Sequence, residues 1–266
     1  MSRRVQWVLS AAVLVISAPI ILAQGPRLRT VHVFVALADN DHQGIVPVAR
    51  ILGNGEDAEH NLYWGSAYGL KAFFSHSAEW NRLGCTQRPK PAIIERCIFK
   101  HKNADVYLIG DAYRGIEIKQ AIWDFLDSAA GGRVESIEAS GPNSGPVLKL
   151  PIYGGAALVA YIGHDGLMDF QLPKYPQQQD ASHRDAIVLA CASKQYFWNA
   201  MRTVGAYPLL WTTNLMAPEA YTLKAALDGW IAGENREQIR DRAAGAYDKY
   251  QKCGIRAAHQ LFETGW

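Results

Sequence analysis

Two short stretches of the chain place reactive side chains at the ends of apolar runs. "YIGHDGLMDF" (161–170) stops on His164 and Asp165 between two glycines, and "DAIVLACASKQYF" (185–197) stops on Cys191 before small residues. Apolar runs bounded by turn formers read as buried strands, so both residues fall at strand ends. If those strands are neighbours, an imidazole meets a thiol. The imidazole then withdraws the thiol proton and the sulfur attacks a carbonyl carbon. The resulting oxyanion needs donors, and the backbone N–H groups of Gly166 and Cys191 are the candidates, because glycine lets backbone approach a ligand closely. The competing reading makes Cys191 a small buried hydrophobe, a common fate of free cysteine.

The elements that must position these residues alternate along the chain. "TVHVFVALADND" is read as a first strand, "NLYWGSAYGLKAFFSH" as a helix and "ADVYLIGDAYRG" as a second strand. "IEIKQAIWDFLDSAAGG" follows as a helix, with glycines at its end. After a turn at "ASGPNSGP" come a third strand from Ala156 to Gly163 and a fourth, "AIVLACAS". The helix "KQYFWNAMRTVG", the fifth strand "AYPLLWTTN" and the helix "APEAYTLKAALDGWIAG" complete the alternation, and "NREQIRDRAAGAYDKYQKC" is a last amphipathic helix. This order implies an α/β fold, a mostly parallel sheet with helices on both faces in a single domain. Ligand sites in such sheets gather at the carboxyl ends of the strands. Polar tips fall there at 38–42, 110–114, 163–166, 191–193 and 212–214.

The 266 residues carry 27 basic and 25 acidic side chains, a balance that gives no nucleic-acid surface. Residues 1–23 read as a secretory signal: "MSRR" is a basic start, an apolar stretch follows, and Ala23 suits a signal peptidase. An exported protein, periplasmic or extracellular, is the expectation, with residues 24–266 as its mature domain and a membrane role only if the leader stays uncleaved. Export permits disulfides. Cys85 and Cys97 lie in a polar, proline-containing segment that a bridge between them would close as a surface loop, leaving Cys253 as the odd thiol.

The order strand, His tip, loop, strand, "LACAS" resembles the clan CD cysteine peptidases, the caspase, legumain, gingipain and clostripain group. The likeness spans the αβ order from about Val31 to Trp230, with its motif content in residues 161–193. It implies a caspase-like fold, His164 as base, Cys191 as nucleophile, and a peptide or protein substrate with no cofactor and no metal. By resemblance to legumain, Asn40 would fix the His164 tautomer. Asp39, Asp41 and Glu219 are acids able to receive an arginine or lysine side chain, and Thr213 stands beside them beyond the fifth strand. For each of these the alternative is an Asx turn or a helix cap. Two departures stand out: Asp165 occupies the place where the family has glycine after the histidine, and no acid precedes Cys191. Asp165 would orient the imidazole, or mark a relative that keeps the cleft as a binding site only.

Other chemistries lack their signatures. No GxGxxG follows a strand, and neither GxxxxGK[ST] nor GxSxG occurs. Asp39, Asp41, His42 and His164 have the atoms for a metal site, but no spacing fixes them. Tyr63, Trp64, Tyr68, Phe73 and Phe74 are read as core, with one facing a ligand, and Gly65 and Gly69 as close-packing positions on a helix.

Overall fold

A computed structural model describes residues 28–140 and 147–266. The expected leader at 1–23, and all but the first two residues of the 139–146 turn, lie outside the described residues. The chain is α/β. Its main sheet has eight strands in the order β10-β9-β8-β7-β1-β4-β3-β2. Five of them are parallel: β4 (Val106–Tyr113), β1 (Arg29–Ala36), β7 (Leu158–Ile162), β8 (Asp185–Leu189) and β9 (Tyr207–Thr212). Antiparallel strands close the edges, β2 (Trp80–Lys90) and β3 (Ile93–His101) on one side and the short β10 (Phe262–Glu263) on the other.

Alternation along β1 explains the two layers. Val31, Val33 and Val35 point to one face, where they meet α1 (Leu70–Ser75), α4 (Ala220–Ala232), α5 (Arg236–Gln251) and α6 (Ile255–Leu261). Phe34 and Ala36 point to the other face. There α2 (Ile118–Ala129), α3 (Ser193–Val204) and the ribbon of β5 (Val134–Ser140) and β6 (Val147–Tyr153) cover them. The parallel strands β7 and β8 are apolar almost throughout because both of their faces are covered. Among the described residues no helix is long and apolar enough to cross a membrane.

Several segments differ from the sequence expectation, among them the β5–β6 ribbon, which was not expected. The expected Cys85–Cys97 bridge is present, with Cα atoms 4.1 Å apart, but the segment it closes is a β-hairpin with the two cysteines as cross-strand partners, not a surface loop. The helix expected over 61–76 is only Leu70–Ser75. Residues 61–69 instead wrap around the buried Asn61, whose amide bonds both backbone groups of Ala38 at 3.0 and 2.8 Å, the Asn54 carbonyl and the Tyr63 N–H. Gly65 and Gly69 serve this loop, where an added Cβ would collide with the backbone of Glu59 and Trp64. The last helix stops at Gln251 on a left-handed Lys252, and α6 and β10 follow.

Candidate active site

His164 and Cys191 sit just past the carboxyl ends of the neighbouring parallel strands β7 and β8 and line one cavity of about 300 Å³. Its walls come from three loops. Gly44, Ile45, Val46 and Val48 follow β1, Leu62 and Tyr63 belong to the Asn61 turn, and Leu215 to Glu219 follow β9. Gly163, at φ +152°, lets the chain turn against β1, where a Cβ would lie 2.9 Å from the Ala36 carbonyl. Ala192, directly after Cys191, holds φ +47° and ψ +34° at the start of α3. A non-glycine residue in this region costs roughly 1–2 kcal/mol and marks a turn that the fold enforces. That turn is pinned by Ser193, whose Oγ donates to the Val188 carbonyl and whose N–H donates to Thr212 Oγ1.

The partner that holds the imidazole is Asp169. Its Oδ2 lies 2.6 Å from His164 Nε2 and also accepts the Gly44 N–H at 3.0 Å. A carboxylate only accepts, so Nε2 is the donor in this contact, and in the neutral imidazole the lone pair is then on Nδ1. Nδ1 has no partner among the described residues. Sequence reading missed Asp169 although it stands in the same motif. The signal would have been the one-turn 3-10 segment Gly166–Met168, which folds position 169 back onto position 164.

Cys191 Sγ faces the backbone of Met216, accepting its N–H at 3.4 Å and donating toward its carbonyl at 3.6 Å. Burial pushes the thiol up from its usual range, opposed by the Met216 N–H, with the nearby Asp165 carboxyl adding to the rise. The resting sulfur is therefore a neutral thiol that needs a base. Among the described residues no hydrogen bond joins it to His164, and no acceptor takes the Cys191 N–H.

Asn40 and Gly166 are not where the expected roles need them. The Asn40 amide closes a loop, donating to the Val48 carbonyl at 3.0 Å and accepting its N–H at 3.1 Å, so the orienting contact belongs to Asp169. The Gly166 N–H is taken by the His164 carbonyl at 3.0 Å and is not free for an oxyanion. Asp165 does not touch the imidazole. It is fully buried, caps the turn through Oδ1 on the Leu167 N–H at 3.0 Å, and leaves Oδ2 without a partner among the described residues. Burial pushes its carboxyl up to about 7 against that bond, and the charge of Asp169 adds to the shift.

Of the expected substrate-binding acids only Glu219 lines the cavity. Its Oε2 accepts from Tyr221 and Gln251 at 2.9 and 3.1 Å, its Oε1 has no partner among the described residues, and burial raises its carboxyl. Asp39 is buried in its own turn, accepting the Asp41 and His42 N–H groups and the His42 ring. Asp41 is exposed outside the cavity, and Thr213 donates to the Gln260 carbonyl in a neighbouring hollow. Tyr63 is the one aromatic of its group in the cavity wall, and burial followed by the charges of Cys191 and Glu219 raises its phenol. Asp39, Asp41, His42 and His164 do not gather into a metal-ligand cluster. Among the described residues the one such group is Cys85, Glu95 and Cys97, whose sulfurs are already bonded to each other. Comparison with protein-family models, with curated proteins and with solved structures finds no match to the chain.

Proposed function

We propose that the protein is an exported cysteine peptidase of caspase-like fold, with Cys191 as nucleophile, His164 as base and a preference for a basic residue at the cleaved position. One observation carries the reading: a thiol and an imidazole at adjacent parallel strand ends share a cavity, and the imidazole is held at Nε2 so that Nδ1 is its open nitrogen. Nδ1 takes the Cys191 proton and the sulfur attacks the peptide carbonyl. The tetrahedral oxyanion is met by the Cys191 N–H, and collapse expels the amine with the proton returned from Nδ1. Water, activated by the same nitrogen, then hydrolyses the thioester. Asp169 is the positioning residue. Glu219 Oε1 is the acceptor for a lysine or arginine head whose stem lies along the apolar walls.

A second reading, a caspase-like binding protein without turnover, is favoured by the thiol's attachment to Met216 and the engaged Gly166 N–H. Thiol alkylation and peptide turnover separate the two. Under the peptidase reading iodoacetamide modifies Cys191 faster than Cys253 despite the latter's exposure, His164→Ala slows that labelling about tenfold or more, and a lysine- or arginine-containing peptide library is cleaved. Equal labelling of both thiols, with no cleavage in the library, assigns the cavity to binding alone.

A further inference from the structure

The mouth of the cavity is apolar and exposed. Val46, Met168 and Leu215 are 82%, 39% and 66% exposed, and all three line the cavity that holds Cys191 and Glu219. They come from three separate segments, the loop after β1, the turn after β7 and the loop after β9. Ile45, Met216 and Pro218 continue the same surface inward. Large apolar side chains left in water around a concave site mark a contact surface. Within the cavity Glu219 is the sole carboxylate of the lining, so its one open oxygen gives the surface a single point of charge recognition.

We propose that this rim binds apolar residues on either side of a basic residue, so that the ligand is an extended peptide in which one lysine or arginine is flanked by aliphatic side chains. The inference rests on reading the cavity as a peptide site, and it adds the specificity-determining residues Val46, Met168 and Leu215. Two observations select this occupant. Charge complementarity calls for one cation at Glu219, and the exposed apolar side chains of the same lining call for aliphatic groups beside it. Covering the rim also removes water from around Glu219 and Cys191, which strengthens the ion pair between that cation and Glu219. Flanking residues thereby assist recognition of the central one.

The test uses the Cys191→Ala protein, which binds without cleaving, and two fluorescein-labelled hexapeptides with one central lysine. In one the lysine is flanked by leucine and valine, in the other by serine and asparagine. The apolar-flanked peptide is expected to bind about tenfold tighter or more, and the surface double variant Val46→Ser/Leu215→Ser should bring the two within about twofold. Equal affinities, or a preference that survives the double variant, overturn the proposal. So does self-association of the wild-type chain in sedimentation that the double variant abolishes with peptide affinity unchanged, since the rim then belongs to a second copy. Turnover by the unaltered enzyme distinguishes the two levels of the reading. Tight, selective binding without cleavage sinks the peptidase and keeps the rim, whereas cleavage of both peptides at equal kcat/KM with equal affinity keeps the peptidase and sinks the rim.

Discussion

His32 and His164 each place Nε2 against an aspartate, at 3.0 Å on Asp111 and 2.6 Å on Asp169. What separates them is the second nitrogen. His32 Nδ1 accepts the Tyr153 N–H at 2.9 Å inside the sheet layer, and the ring is fully buried. Asp111 is then closed from the other side by Arg96, whose Nε and a terminal nitrogen reach its two oxygens at 2.5 and 2.6 Å. Burial pushes the Asp111 carboxyl up, but the bonds from Arg96 and His32 outweigh it and hold it at about 2, while burial keeps His32 neutral by lowering its pKa. Around His164 the second nitrogen is open and a cavity lies beside the ring. A histidine with both nitrogens satisfied is part of the frame, and one with a single nitrogen satisfied is equipped to exchange a proton.

The largest expected effect falls on the closed site. Arg96→Met leaves the Asp111 carboxylate buried with only a neutral imidazole as partner, and removing one member of a buried ion pair costs about 3–5 kcal/mol. The urea midpoint should drop accordingly while folded protein still alkylates Cys191 at the wild-type rate. A loss of stability below about 1 kcal/mol would show that the closed network does not hold the sheet, and would remove the basis of the contrast.

Asp165 lies between the two cases, buried like Asp111 but with one oxygen unpartnered among the described residues. Its folded pKa of about 7 stands above the ordinary 3.8. The native state therefore favours the protonated acid, and the associated stability is complete below about pH 4 and is lost as pH rises through 7. Three units correspond to a difference on the order of 4 kcal/mol between the two ends of that window. Asp165→Asn keeps the Leu167 contact, cannot ionise, and should flatten this part of the stability curve. An unchanged slope between pH 4 and 7 in denaturant titrations would mean that Oδ2 is stabilised as the anion.

Much of this arrangement is legible in the residues alone, and the remainder fails for identifiable reasons. The strands β1, β4, β7, β8 and β9 announce themselves because both of their faces are buried, His164 and Cys191 follow from their position at strand ends, and Glu219 came from the family resemblance. The hairpin β2–β3 does not announce itself. Its outer strand is exposed along nearly its whole length, carries Pro89, and shows no apolar alternation. Asp169 was hidden because its contact depends on a short 3-10 turn, and Asp165 beside His164 looked the nearer partner by chain distance. Asn40 fails as an orienting residue because its amide finds local backbone first, the usual competition between asparagine side chains and loop geometry.

Asp169→Asn sharpens the comparison from the open side. The neutral amide no longer enforces protonation at Nε2, so part of the population carries the wrong tautomer. Under the peptidase reading proposed above, peptide turnover should fall about a hundredfold, roughly 2.7 kcal/mol in the barrier, with KM little changed and the urea midpoint shifted by less than about 1 kcal/mol. A large stability loss with unaltered turnover would turn His164 into a second His32.

The smallest effect tests whether the loop after β1 matters to the imidazole at all. Gly44 donates its N–H to the same Asp169 oxygen that holds His164, and a Cβ built on Gly44 would stand 2.6 Å from Asp169 Oδ1. Gly44→Ala must therefore push either the loop or the carboxylate. Asp169 is partly exposed, so its carboxylate has room to give way, and the cost appears as misorientation of the ring with the fold left intact. Under the same peptidase reading, turnover should fall a few-fold, to about tenfold at most, with thermal stability within about 0.5 kcal/mol of wild type. Gly44→Ala combined with Asp169→Asn should be no slower than Asp169→Asn alone, because both changes act through one contact. Additive losses in the double variant would place Gly44 in a separate role at the cavity wall and leave Asp169 to orient His164 without help from the loop.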